Sequence, residues 1–302
     1  MKSQCLFSGD SYACGGMGMN LAQAADTAVQ AEVTAIEKAK GGDPTALSYV
    51  KSFHIIRTAV GIAGAALPFV LVIGWRMLHG EWNLLGSLSA YYHTGVRDAF
   101  VSILVVVGAL LIAYKVASAG ADNPLGTFAG LAAIGVAFIP TKIDPDRQPY
   151  ASNTAVQEWL NPDLARWIHY ICAGTFIVLL GFICLLFARL EDEKQDAGMS
   201  SASQWQPSAK WSVFHRRMGY FIFAIVALVL LSQLTGILDK YSILVGEALA
   251  TWAFAASWLA KGIDPEVLRA VAPDKGQPQV NRGENLRARV TQVPKATENH
   301  AR

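Results

Sequence analysis

The segment Leu88-Ser89-Ala90-Tyr91-Tyr92-His93-Thr94-Gly95-Val96-Arg97-Asp98 gathers hydroxyls, an imidazole, a guanidinium and a carboxylate between two apolar runs. Other polar groups border or interrupt apolar stretches further on: His169, Gln233 beside Ser232, Glu247, and Asp144 within Pro140-Thr141-Lys142-Ile143-Asp144-Pro145-Asp146. Imidazoles and a carboxylate can hold a divalent metal, which lowers the pKa of bound water toward about 7 and makes a nucleophile at neutral pH. In that chemistry His93 and His169 are ligands, with a carboxylate as the third. Asp98 or Glu247 is the general base, and Arg97 holds a phosphate or carboxyl group of the substrate. Tyr92 and Gln233 are further candidates for substrate contact. Each group also has an ordinary explanation. Tyr91 and Tyr92 suit a membrane interface, and Asp98 can cap the helix that follows, where a carboxylate meets the positive end of the helix dipole. Glu247 is harder to explain away. It lies about one and a half turns into an apolar stretch, which calls for a partner such as Arg97, His169 or Gln233.

The elements that must position these groups are apolar helices. Of 302 residues, 53% are hydrophobic and only 16% charged, against roughly 25% charged in a typical soluble chain. A spanning helix needs about 20 apolar residues to cross roughly 30 Å of hydrocarbon. Six stretches are candidates: Thr58–Leu78, Asp98–Ala117, Leu125–Thr141, Trp167–Ala188, Met218–Gly236 and Ser242–Ala260. The expected fold is therefore all-α, a polytopic bundle of six transmembrane helices. An ordinary soluble enzyme and a disordered chain are both excluded. The third stretch is the shortest, and its Gly126-x-x-x-Gly130 spacing allows close approach of another helix.

Topology follows from basic residues near the span ends. One side holds Lys40, Lys51, Arg57, Lys115, Arg189, Lys194, Lys210, Arg216, Arg217, Lys261, Arg269 and Lys275; the other holds Arg76, Arg97, Lys142, Arg147, Arg166 and Lys240. That two-to-one bias puts both termini in the cytoplasm. An ionised group at the centre of a span costs about 2.5–3.5 kcal/mol on insertion scales, so each such residue is a candidate for function. Ser89, His93, Asp144, His169, Gln233 and Glu247 then share the outer leaflet, while the inner halves of the spans look almost empty of polar groups. His215, in Phe214-His215-Arg216-Arg217, is expected at the inner end, snorkelling toward phosphate headgroups. Two histidines at one depth can hold a haem axially. His93 and His169 meet that condition, and His169 with His215 does not.

Three regions are expected: a cytoplasmic segment, 1–54, with a weakly amphipathic helix over 20–40; a transmembrane domain, 55–262; and a disordered cytoplasmic tail, 263–302. Residues 1–19 have no continuous apolar run after Lys2, so no cleavable signal peptide is expected. Cys5, Cys14, Cys172 and Cys184 form no Cys-x-x-Cys and read as small buried hydrophobes. The net charge of +2 offers no pull toward nucleic acid; the expected partners are membrane lipids.

Two resemblances attach to these residues. Ser87-x-Ser89-x-Tyr91-Tyr92-His93-Thr94-x-x-Arg97-Asp98-x-Phe100-Val101, Ile168-His169-Tyr170 and the ending Gly246-Glu247-Ala248-x-x-x-Trp252-Ala253-Phe254-x-x-Ser257-Trp258-x-x-Lys261-Gly262 resemble an uncharacterised family of bacterial six-helix integral membrane proteins. This covers roughly residues 55–262 and implies a fold and an inner-membrane location but no activity. The shorter element Ser89-Ala-Tyr-Tyr-His93 is similar to the Ser-x-x-x-His of the membrane hydrolases that include alkaline ceramidases and progestin/adipoQ-type receptors. That likeness implies zinc on His93, a supporting Ser89 and an assisting Asp98. The superfamily's later His-x-x-x-His pair is missing here and six spans replace seven, so His169 and carboxylates such as Asp144 or Glu247 would substitute as ligands.

Two expectations of function follow. One is a metal-assisted hydrolase of a lipid-like substrate, with zinc ranked ahead of haem. The other is a non-enzymatic transporter, sensor or assembly protein whose polar cluster ties the helices together.

Overall fold

The computed structural model describes residues 34, 38, 44–80, 84–113, 122–149, 151–196, 208–237 and 241–262. Most of the 20–40 segment, the tail from 263 onward, Cys5 and Cys14 lie outside the described residues. Within them the chain is all-helical: α1 Pro44–His79, a 3-10 turn Ser89–His93, α2 Arg97–Ala113, α3 Asp122–Phe138, α4 Ala155–Leu160, α5 Pro162–Asp196, α6 Ser208–Thr235 and α7 Ser242–Gly262.

Four helices are long and apolar enough to cross a membrane, over Ser48–His79, Pro162–Glu193, Lys210–Thr235 and Ser242–Gly262. The other two of the six apolar stretches also form helices, α2 and α3, each described over 17 residues. Large apolar side chains point away from the bundle on all six long helices: Phe69, Val106, Leu131, Ile171, Leu228 and Val245 are exposed. In water such a surface would be an aggregation liability; lipid is the solvent that suits it.

Helices adjacent in sequence pack together. The contacts run α1 to α2, α2 to α3, α3 to α5, α5 to α6, α6 to α7, and α7 back to α1, so the six long helices close a ring. The interior divides into two apolar zones. One is built around Val60, Leu111, Leu180, Phe187, Phe254 and Trp258. The other surrounds Leu71, Trp75, Leu85, Tyr91, Phe100 and Leu104.

The closest approach lies between α2 and α3. A Cβ placed on Gly130 would fall 2.4 Å from the Gly108 carbonyl oxygen, and one on Gly108 would fall 2.7 Å from that of Gly130. Glycine at both positions is what lets the two backbones touch. Gly130 belongs to the glycine pair read from sequence; its partner on the facing helix, Gly108, lacked any such spacing signal.

Candidate functional site

The loops joining the helices at one end of the ring form a polar cap. Its base is the segment 84–96, which local side-chain bonds shape. Ser87 Oγ accepts from the Ala90 N–H at 3.0 Å and starts the 3-10 turn. Thr94 ends it: its hydroxyl donates to the Tyr91 carbonyl at 2.6 Å, and its own carbonyl accepts from the Arg97 N–H at 3.1 Å as α2 begins. Hydroxyl side chains offer such competing bonds wherever a chain must turn. Tyr91, fully buried against the Trp75 ring, anchors the turn below. Burial raises the pKa of its phenol above the usual 10.0 and keeps it neutral.

Five side chains then fasten this segment and the segment 139–148 to each other and to the helices. Glu247, on the second turn of α7, accepts from the Leu88 N–H at 2.6 Å and from the Ser89 hydroxyl at 3.5 Å. The expected partners Arg97, His169 and Gln233 are not what it bonds. A carboxylate this deep meets loop donors because the 3-10 turn folds inward over α7, where the Leu244 N–H also bonds the Gly86 carbonyl at 2.9 Å. His93 Nε2 donates to the Thr141 carbonyl at 2.8 Å, and His169 Nδ1 donates to the Ile139 carbonyl at 2.6 Å. A carbonyl can only accept, so each contact fixes which ring nitrogen carries hydrogen. Gln148 donates to the Ala90 carbonyl at 2.7 Å, and Gln157 joins His93 on the Thr141 carbonyl at 3.0 Å.

The remaining candidates lie apart. Asp98 is exposed in the first turn of α2, the position of a helix-capping carboxylate. Arg97, also exposed, donates to the buried Tyr92 hydroxyl at 2.8 Å. Gln233 is exposed on α6 and donates to the Ser242 hydroxyl at 3.1 Å, bridging to α7. Asp144 pairs with Arg147 at 3.5 Å and accepts from the Asp146 N–H at 3.1 Å. The structure thus brings Ser89, His93, His169 and Glu247 into one cap. Asp98, Arg97, Tyr92 and Gln233 are left in separate local contacts.

This donor set does not suit a metal. Among the described residues no three His, Cys, Asp or Glu side chains form a group that could hold one. The carboxylate offered as third ligand, Asp144, is committed to Arg147. His93 is at its most useful as a neutral donor: burial lowers its pKa below the usual 6.5, the Thr141 carbonyl opposes this, and the Arg97 charge adds to the lowering.

Beside the cap is a recess of about 240 Å³, with Ser87, Lys142, Asp144, Arg147, Gln148 and Tyr170 in its wall.

The opposite end of the ring holds a second polar cluster. His215 is only 1% exposed, so it does not snorkel to headgroups; it contacts the Ser257 hydroxyl at 2.8 Å. The Phe187 and Trp211 rings close over it. Lys261 and Glu191 form an ion pair that is almost completely buried, and the Arg57 guanidinium donates to the Lys261 carbonyl at 3.0 Å. The Trp258 indole returns a bond to the Arg57 carbonyl at 2.8 Å. The sequence places Arg57, His215 and Lys261 near span ends, with His215 expected to snorkel and the inner halves of the spans expected to be almost empty of polar groups. The helices run past the apolar stretches, and packing of α1, α5, α6 and α7 buries their ends.

Gln148, Gln157 and the role of the Thr141 carbonyl are not among the groups the sequence singles out. Gln157 had a readable signal, since Thr154-Ala-Val-Gln157 is a capping box, and both of its reciprocal bonds form at the start of α4. Its amide nitrogen is the part that reaches Thr141. Gln148 and the Thr141 carbonyl carried no such signal. Comparison with known protein families, with curated proteins and with solved structures finds no match.

Proposed function

We propose that this chain is a non-enzymatic six-span protein of the bacterial inner membrane, with both termini cytoplasmic, acting as a transporter, sensor or assembly component. Its polar cap works as a lock on helix register. One observation carries the reading. The groups that would do chemistry, Glu247, His93 and His169, are all engaged with backbone groups of the two cap segments. Interhelical hydrogen bonds in lipid are worth about 0.6–2 kcal/mol each, so several together can hold loops and helices in one arrangement.

Six spans rather than four are supported by the ring. Helices α2 and α3 sit between α1 and α5 on equal terms with the longer helices. Their 17 described residues rise about 25 Å, near the hydrocarbon thickness. The orientation rests on the basic bias, with Arg57, Arg189, Arg216 and Lys261 at the end opposite the cap.

The test is metal analysis of the purified chain together with unfolding of His93→Ala and His169→Ala. The lock predicts destabilised variants and no metal dependence of stability. Stoichiometric zinc lost in both variants would overturn it and favour the hydrolase of a lipid-like substrate, with Asp98 or Glu247 as base. Reporter fusions at the loops and termini test the topology separately.

A further inference from the structure

The recess beside the cap has a one-sided hydrogen-bonding character. Several of its acceptors already take a bond. The Gly86, Ala90 and Thr141 carbonyls take bonds from Leu244, Gln148 and His93. Each Asp144 carboxylate oxygen already meets one donor, the Asp146 N–H on one and Arg147 on the other. The Gln148 side-chain oxygen Oε1 accepts from the Asp144 N–H at 3.3 Å.

Its donors are open. Lys142 is exposed and makes no ion pair among the described residues. The Tyr170 hydroxyl has no hydrogen-bond partner among them either. Ser87 Oγ accepts from Ala90 and keeps its own hydrogen to give. With Lys142 and Arg147 against Asp144, the wall carries one excess positive charge. Open donors under net positive charge favour an oxyanion over a cation.

Size and place narrow the class. About 240 Å³ falls below the roughly 300 Å³ at which pockets for drug-sized ligands begin, so a head group fits better than a whole metabolite. Tyr170 and Trp167 are exposed on the first turns of α5, where aromatic side chains mark the headgroup level of a bilayer.

We infer that this recess binds a phosphate-type oxyanion through Lys142, Tyr170 and Ser87. The ligand is either the phosphodiester head of an anionic phospholipid or a free phosphate from the aqueous side. The inference is independent of whether the cap is a lock or a metal site, since none of its three donors bonds Glu247, His93 or His169.

The experiment follows thermal unfolding of the full chain in an uncharged detergent with added inorganic phosphate. In parallel it compares nanodiscs of phosphatidylcholine with and without phosphatidylglycerol. Stabilisation that fades as sodium chloride rises is expected in at least one arm. In that arm Lys142→Gln should raise the half-maximal concentration roughly fivefold, the effect of one basic residue near a charged surface. Tyr170→Phe should weaken the response in the same direction, and Lys210→Gln, at the other end of the bundle, should leave it unchanged. A phosphate response in detergent identifies a free-anion site; a response to phosphatidylglycerol alone identifies a lipid site. No stabilisation in either arm, or equal stabilisation of wild type and Lys142→Gln, overturns the inference.

Discussion

Replacing Glu247 by alanine is the sharpest perturbation of the cap. The Leu88 N–H that it accepts at 2.6 Å belongs to a residue only 4% exposed, so water does not replace the lost acceptor. A hydrogen bond contributes about 0.5–1.5 kcal/mol net, and leaving a buried donor unsatisfied costs about 1–3 kcal/mol. These overlap, so the combined loss is about 2 kcal/mol, with a small further part from the 3.5 Å Ser89 contact. Glu247→Gln keeps an acceptor oxygen at the same reach and should cost less than about 1 kcal/mol. The assay is reversible unfolding in mixed detergent micelles, read by circular dichroism. Alanine should be clearly worse than glutamine, and both should unfold cooperatively. If alanine costs less than about 0.5 kcal/mol, or if glutamine is as damaging as alanine, the carboxylate is not holding the 3-10 turn. A catalytic base would behave differently again, because glutamine would abolish turnover with stability nearly intact.

Three further outcomes are expected. His93 has a folded-state pKa below its ordinary 6.5, so its contribution is full above pH 6.5 and is lost as pH falls toward the folded value. The stability of His93→Gln, followed by unfolding between about pH 7 and 5, should decline less steeply than that of wild type. Gly130→Ala puts a methyl 2.4 Å from the Gly108 carbonyl, and overpacking of this kind should cost about 1–3 kcal/mol in the same assay. Lys261→Met removes one partner of the buried Glu191 carboxylate at the far end of the bundle and should cost about 3–5 kcal/mol, whereas Lys261→Met with Glu191→Leu should recover most of it.

Fold class was legible because it depends on local, periodic properties. The apolar stretches are long, nearly free of charge and separated by polar turns, so each was readable as a helix without knowing its neighbours. Gly130 was legible for the same reason. The site was legible only as a list of residue types gathering at one end of the bundle. Partners were not, because a hydrogen bond across 159 positions, such as Glu247 to Leu88, depends on where the helices converge. Reading Glu247 against Arg97, His169 or Gln233 assumed that charged and amide groups seek each other. The folded chain satisfies Glu247 and His169 with backbone groups of the cap turns, which the helices do not use, and Arg97 and Gln233 with neighbouring hydroxyls.

The far end shows the same division. Sequence alone determined that Arg57, Glu191, His215 and Lys261 lie near the ends of apolar stretches. Tertiary structure decided that they face inward. Helices α5 and α6 continue beyond their apolar windows at this end, and packing of both on α7, which itself lies against α1, turns Glu191, His215 and Lys261 inward. Hydropathy measures how far a helix can stay in lipid; only the arrangement of its neighbours determines which polar group is left to find a partner, and where.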